Sequence, residues 1–168
     1  YAFDEQFGFL TRCPTNVGTG MRASVMLHLP ALELAGRMNQ LAGEVGKLGL
    51  TIRGLYGEGS DSKGSLYQLS NQITLGISEA QTLEKLKNIT MQINETERGM
   101  RKRLYERNPD SLSDTLWRAL GTLKYARKLT SAECESLLSE VKLGADMGII
   151  TEADAHTLTK LMIASEPA

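Results

Sequence analysis

At Ser78 the hydrophobic pattern of this chain changes period, and that change limits the fold more than any other feature of the sequence. Upstream, short strand-like runs alternate with glycine-rich connections. Downstream, apolar residues recur at three- and four-residue spacings almost to the end. Ser78 and Gln81 form a capping-box pair ahead of a long amphipathic run that includes Leu83, Leu86, Ile93, Met100 and Leu104. Asn108-Pro109 breaks that run. Three shorter helices are expected near Asp114 to Leu123, Ala132 to Leu143 and Glu152 to Met162. Thr130 with Glu133 supplies a second capping box, and Gly144 and Gly148 punctuate the last connection. Strands therefore come from the front alone, which makes the chain α+β rather than alternating α/β.

The front third reads as strands at Phe7 to Thr11 and Ser24 to Leu29, the second ended by Pro30. A helix is expected over Leu32 to Leu48, with Leu34, Met38, Leu41, Val45 and Leu48 as its apolar positions and Gly49 as its stop. Thr51 to Tyr56 and Leu66 to Leu75 are further strand candidates. The small, polar, glycine-rich segment between them, Gly57 to Ser65, is long enough to close over a site as a lid. The expected organisation is residues 1–107 as a sheet-containing part with the long helix and residues 108–168 as a helical segment.

With 168 residues the chain can bury one substantial core, and 23% charged residues fit a globular, water-exposed surface. A net charge of −1 argues against a dedicated nucleic-acid binder. The basic run RGMRKRLYER, Arg98 to Arg107, reads as a solvated helix face offset by Glu95, Glu97 and Glu106. Two cysteines are too few for a disulfide scaffold and fit a reducing, cytoplasmic setting. No apolar run approaches the roughly 18 residues needed to span a bilayer. Neither nucleic acid nor membrane is an expected partner, and a homodimer is left open.

The chemistry concentrates in CPTNVGTGMR, Cys13 to Arg22. A lone cysteine is more often buried filler than a reactive group, and Cys134, mid-helix among apolar neighbours, keeps that reading. Cys13 differs because it closes a strand and opens a loop, where the Thr15 hydroxyl or backbone N–H groups can stabilise a thiolate. Arg22 follows two glycines that let a ligand approach the backbone, and arginine grips phosphate bidentately. In a strand over Ser24 to Leu29, Arg22, Ser24, Met26 and His28 share one face, while Ala23, Val25, Leu27 and Leu29 face the core. That mixed face suits a nucleotide. His28 reads as an ordinary surface histidine without a role. RGLYGE, Arg53 to Glu58, is weak alone; Glu58 is equally a solvated carboxylate. Neither a P-loop nor the protein-kinase motifs occur.

Together these residues resemble the phosphagen (guanidino) kinases, and among them the bacterial protein arginine kinases. The resemblance runs from about Phe7 through the long helix and more loosely to the end. YQLSNQITLG, Tyr67 to Gly76, is similar to the strand that follows the flexible loop in this family. It implies an antiparallel sheet flanked by helices, of the glutamine-synthetase-like kind, followed by helices. It also implies transfer of the ATP γ-phosphoryl group to an arginine guanidinium, with Mg²⁺ carried on the ATP phosphates. Cys13 and Glu58 would then contact the guanidinium. Nucleotide would lie along Arg22, Ala23, Ser24, Val25 and Met26, and along Arg53, Gly54, Leu55, Tyr56, Gly57 and Glu58. The implied partners are ATP and arginine-containing proteins.

Two departures inform the expectation. Free-arginine and creatine kinases have a histidine near adenine where this chain has Met26. Those enzymes also end soon after the long helix, whereas this chain continues through three more, as the protein arginine kinases do. The family's upstream NEED-like acidic loop and further phosphate-binding arginines do not precede Tyr1, and no RDxxRA motif is present. The chain is accordingly expected to be part of a longer enzyme and to have little activity alone. The competing readings are a kinase for free arginine and a non-catalytic nucleotide- or partner-binding module.

Overall fold

A computed structural model describes residues 2–54 and 64–164. Of the expected site residues, Leu55, Tyr56, Gly57 and Glu58 lie outside that range, as does most of the expected lid. A two-stranded hairpin comes first, β1 (Phe3–Asp4) and β2 (Gly8–Phe9), then a 3₁₀ turn at Pro14–Asn16. The main sheet has three antiparallel strands in the order β3 (Ser24–His28), β5 (Leu66–Asn71), β4 (Leu50–Gly54). Six helices complete the described chain: α1 (Pro30–Leu34), α2 (Met38–Lys47), α3 (Glu79–Arg107), α4 (Pro109–Tyr125), α5 (Ser131–Asp146) and α6 (Ala155–Ala164). The α+β class and the antiparallel sheet follow the expectation.

Strand register sorts the side chains. Val25 opposes Leu69, which opposes Ile52, and Leu27 opposes Tyr67. This apolar face packs against α2 and α3 in a core that includes Met38, Val45, Leu86, Ile89 and Ile93. Burying each such side chain contributes roughly 1.5–3 kcal/mol. The opposite face carries Met26, Gln68 and Arg53 in one cross-strand row, all three exposed. At the far end of that face Leu66 is covered by the second core, built from α4, α5 and α6 around Leu116, Leu138, Val141, Ile150 and Met162.

Several boundaries differ from the sequence reading. Only Gly8–Phe9 of the first expected strand is paired, and β5 stops at Asn71. The expected Leu32 to Leu48 helix is two helices, broken where Gly36 adopts φ +66°. Pro30 ends the strand by opening α1, since proline lacks the N–H that a first helical turn leaves unused. Asn108 likewise caps α4 and Pro109 starts it, so the break is a corner between two helices. Gly144 lies inside α5, where an added Cβ would sit 2.7 Å from Ile150 Cδ1.

The long helix begins at the expected capping box, with Gln81 N–H donating to Ser78 Oγ at 3.2 Å and Ser78 N–H donating to Gln81 Oε1 at 3.0 Å. Its buried seam is Thr82, Leu86, Ile89, Ile93, Glu97 and Met100, and Leu83 is exposed. Glu97 therefore does not belong to a solvated face. It is 2% exposed because its carboxylate caps α1: Ala31 N–H donates to Oε1 at 3.0 Å and Leu32 N–H to Oε2 at 2.9 Å.

Candidate active site

The cysteine turn is held from below by the chain leaving β5. Thr74 is buried, and its hydroxyl lies 2.9 Å from Thr15 O and 2.7 Å from Val17 O, both acceptors for its one proton. Thr19 N–H donates to Thr74 O at 2.9 Å. Gly18 is required at this crossing: at φ +106°, a Cβ would lie 2.1 Å from Thr74 O. On the other side Gly18 pairs with Phe9 of the hairpin. The result is a loop pinned at both ends with its tip, Cys13 to Asn16, exposed.

At that tip Cys13 precedes the 3₁₀ turn, and its Sγ is 3.0 Å from Thr15 Oγ1. Hydrogen bonds from the Thr15 side chain and backbone, with a smaller contribution from the Arg22 charge, hold the thiol below its ordinary pKa. The thiolate is the nucleophilic and cation-attracting form, so this environment favours the charged state. The Thr15 hydroxyl expected from sequence thus fills its place. Cys134 is half-buried in α5 beside the second core.

Asn71 positions the start of β3. By parity it lies on the core face with Tyr67 and Leu69, yet it is polar and 3% exposed. Its Oδ1 accepts from Ala23 N–H at 2.8 Å, and its Nδ2 donates to Met21 O at 3.1 Å and Ile73 O at 3.3 Å. Arg22 lies between the two residues so held and is exposed. From there Ser24 and Met26 are exposed while Val25 and Leu27 turn inward, as the alternation requires. Gln68 Nε2 donates to Ser24 Oγ at 3.0 Å across the open face.

Arg53 sits in register with Gln68, which is in register with Met26. At about 4.8 Å between strands, the backbones of Arg53 and Met26 are separated by roughly 10 Å. Arg53 thus stands on the open sheet face within β4, and Arg22 lies two residues ahead of β3. Among the described residues neither has a carboxylate partner. Gly54 ends β4 behind Arg53. Two unneutralised guanidinium groups near a polar sheet surface fit a polyphosphate. Glu58 lies outside the described residues.

His28, expected at the surface without a role, lies partly buried at the end of β3. Its Nε2 is 2.9 Å from Ser139 Oγ of α5. Burial, then the Lys142 and Arg101 charges, push its pKa down to about 3 against the pull of Asp146. The sequence offered little to find Asn71, Thr74 or His28. The one readable signal was Asn71 itself, a polar residue in phase with the apolar positions of its strand.

Comparison with known proteins finds two matching families. Residues 1–100 match the family described as ATP:guanido phosphotransferase, C-terminal catalytic domain. Residues 109–168 match the one described as Protein-arginine kinase McsB C-terminal domain. A protein-arginine kinase of Clostridium kluyveri is 52% identical over all of this chain, which covers 49% of that protein. One from Bacillus licheniformis is 48% identical over 99% of the chain and 46% of its own length. The chain thus spans about half the length of the curated relatives it matches. The substrate-free duplicated taurocyamine kinase of Schistosoma mansoni superposes with a TM-score of 0.51 at 30% identity, over 68% of this chain and 17% of that one.

Proposed function

We propose, because this chain belongs to the ATP:guanido phosphotransferase family, that it is the nucleotide-binding and acceptor-orienting half of a protein arginine kinase. ATP lies across the open face of the main sheet, along Arg22, Ala23, Ser24, Val25 and Met26, and reaches Arg53 and Gly54 and the segment Leu55 to Glu58. Arg22 and Arg53 neutralise its phosphates, where Mg²⁺ carried by ATP would supply further charge neutralisation. With Met26 on this face, the base meets an apolar thioether rather than an imidazole.

The acceptor guanidinium is a delocalised cation with a pKa above about 12 and attacks poorly by itself. Cys13 as thiolate and Glu58 as carboxylate supply two negative groups that orient it and polarise one nitrogen toward the γ-phosphorus. The gain is mostly in-line positioning and electrostatic stabilisation of a charge-dispersed transition state. The N–P bond forms as the bond from the γ-phosphorus to the ADP oxygen breaks, and a base accepts the nitrogen's proton. That base is assigned to the part of the longer enzyme that this half-length chain does not include.

The observation that supports this reading is a thiol held below its ordinary pKa near the Arg22 charge, with Arg53 exposed on the open sheet face in register with Gln68 and Met26. The match of residues 109–168 to a protein-arginine kinase domain supports a protein acceptor over free arginine. The working compartment is the cytoplasm, as two unpaired cysteines suggest. The full-length enzyme with radiolabelled ATP is offered an arginine-containing protein or free arginine. Acid-labile phosphate on the protein, exceeding that on free arginine, is expected. Transfer to free arginine alone makes it a small-molecule kinase, and no transfer to either leaves a binding module.

A further inference from the structure

The residues that grip the far end of β3 come from two helices, and Glu97, Arg101, Lys142 and Asp146 among them line one cavity with Met26 and His28 of that strand. Glu97 of α3 accepts from Ala31 N–H and Leu32 N–H, the first turn after β3. Arg101, one turn further along α3, donates from Nε to Glu97 Oε1 at 2.8 Å and reaches His28 O with Nη2 at 3.4 Å. Its third contact is to another element: Nη1 donates to Asp146 Oδ2 of α5 at 3.0 Å. Lys142 of α5 closes the group with bonds of 3.2 and 2.9 Å to the two oxygens of Asp146. A second link from α5 to the same strand is Ser139 Oγ on His28 Nε2.

These contacts are partly enclosed. The Arg101, Lys142 and Asp146 side chains are 14%, 13% and 21% exposed. Burial raises the Asp146 pKa, but the Lys142 and Arg101 bonds outweigh it and keep the carboxyl below its ordinary value. Enclosed charge clusters are costly to desolvate and are poor devices for stability alone. What they supply is direction. Apolar packing tolerates small slides, whereas Arg101 can satisfy Glu97, Asp146 and His28 O together in one arrangement only.

We propose that α5 sets the position of β3 through the Asp146–Arg101 pair and the Ser139–His28 bond, and so tunes ATP binding at Arg22 and Met26. Arg101, Asp146 and Ser139 are positioning residues. His28 is the last residue of a five-residue strand whose other end holds Ser24 and leads back to Arg22. A paired strand moves as a unit, so a shift imposed at His28 is delivered to the phosphate-facing end. The helical segment beyond Asn108 thereby becomes part of the nucleotide site, its Lys142 and Asp146 lining the cavity that Met26 also borders. This inference rests on the kinase reading, because it needs ATP on that face.

The test uses the full-length enzyme and two readouts, direct binding of a fluorescent ATP analogue and steady-state transfer to a protein substrate. Asp146→Asn is expected to weaken nucleotide binding and raise the KM for ATP about three- to tenfold, with kcat changed less than about twofold, the range expected for coupled neighbours. Asp146→Glu, which keeps the charge, restores most of the affinity. Glu152→Gln, which removes the exposed Lys124–Glu152 pair elsewhere in the helical segment, leaves affinity unchanged. Should Asp146→Asn fail to fold, Ser139→Ala, lacking one hydroxyl, is expected to give a smaller loss of affinity in the same direction. Wild-type affinity in folded Asp146→Asn, or in Ser139→Ala where the first variant does not fold, overturns the inference. A wild-type enzyme that binds the analogue but transfers nothing to arginine removes the kinase reading and leaves the binding comparison to judge the positioning. A wild type that binds no nucleotide overturns both.

Discussion

Replacing Glu97 tests whether a carboxylate inside the main core is a structural requirement. It accepts two backbone N–H groups at 3.0 and 2.9 Å and the Arg101 Nε at 2.8 Å. In Glu97→Ala the Ala31 and Leu32 N–H groups lose their side-chain acceptor, at about 1–3 kcal/mol each. Arg101 keeps Asp146 but loses its nearest counter-charge, so breaking this buried pair costs about 3–5 kcal/mol overall. Glu97→Gln keeps the shape and one acceptor oxygen but presents an NH₂ group to either Arg101 or a backbone N–H. About half the loss is expected there, roughly 2 kcal/mol. Urea unfolding of the full-length protein, followed by the fluorescence of Trp117, measures both variants against wild type. A loss below about 1 kcal/mol in Glu97→Ala would refute the reasoning, because three enclosed charge-assisted bonds cannot be worth so little.

Two other substitutions probe separate parts of the account. Thr15→Val removes the largest influence holding down the Cys13 pKa; in a Cys134→Ala background the pH profile of iodoacetamide alkylation should move to higher pH, and an unmoved profile contradicts the assigned cause. His28 titrates near 3 in the folded chain against about 6.5 unfolded; burial depresses its folded pKa most, then the Lys142 and Arg101 charges, with Asp146 opposing them. Above pH 6.5 both states are neutral and nothing is lost; below it the unfolded chain binds the proton first, and stability falls by about 1.4 kcal/mol per pH unit. His28→Asn should flatten the drop in urea midpoint between pH 7 and pH 5, and an equal drop in both proteins would contradict the assignment.

Much of this was readable from residue types because it depends on local rules. The alternation through Ser24 to Leu29 gave the faces of β3, and the Ser78–Gln81 pair gave the start of α3. Cys13 and Thr15 are two positions apart, so their hydrogen bond needs no long-range knowledge. What escaped depends on contacts distant along the chain. Glu97 looks like any helix-surface glutamate until α1, 66 residues earlier, presents its N–H groups to it. His28 becomes enclosed only because α5 delivers Ser139 from 111 residues away. The break at Gly36 was missed because Leu34 and Leu48 continue a helical spacing, although both are exposed. The central place of β5, between strands that both precede it, also follows from packing rather than from local pattern.

The central claim is that Arg53 and Cys13 serve different reactants of one phosphoryl transfer. It is tested most directly by measuring, in the full-length enzyme, ATP affinity and phosphoryl transfer for Arg53→Ala and Cys13→Ser side by side. Loss of a phosphate-gripping arginine should weaken ATP binding about tenfold or more, equivalent to roughly 1.4 kcal/mol. Cys13→Ser should leave ATP affinity within about twofold while transfer to protein arginine falls about a hundredfold or more. Equal losses of ATP affinity in the two variants, or full transfer by Cys13→Ser, would contradict the account.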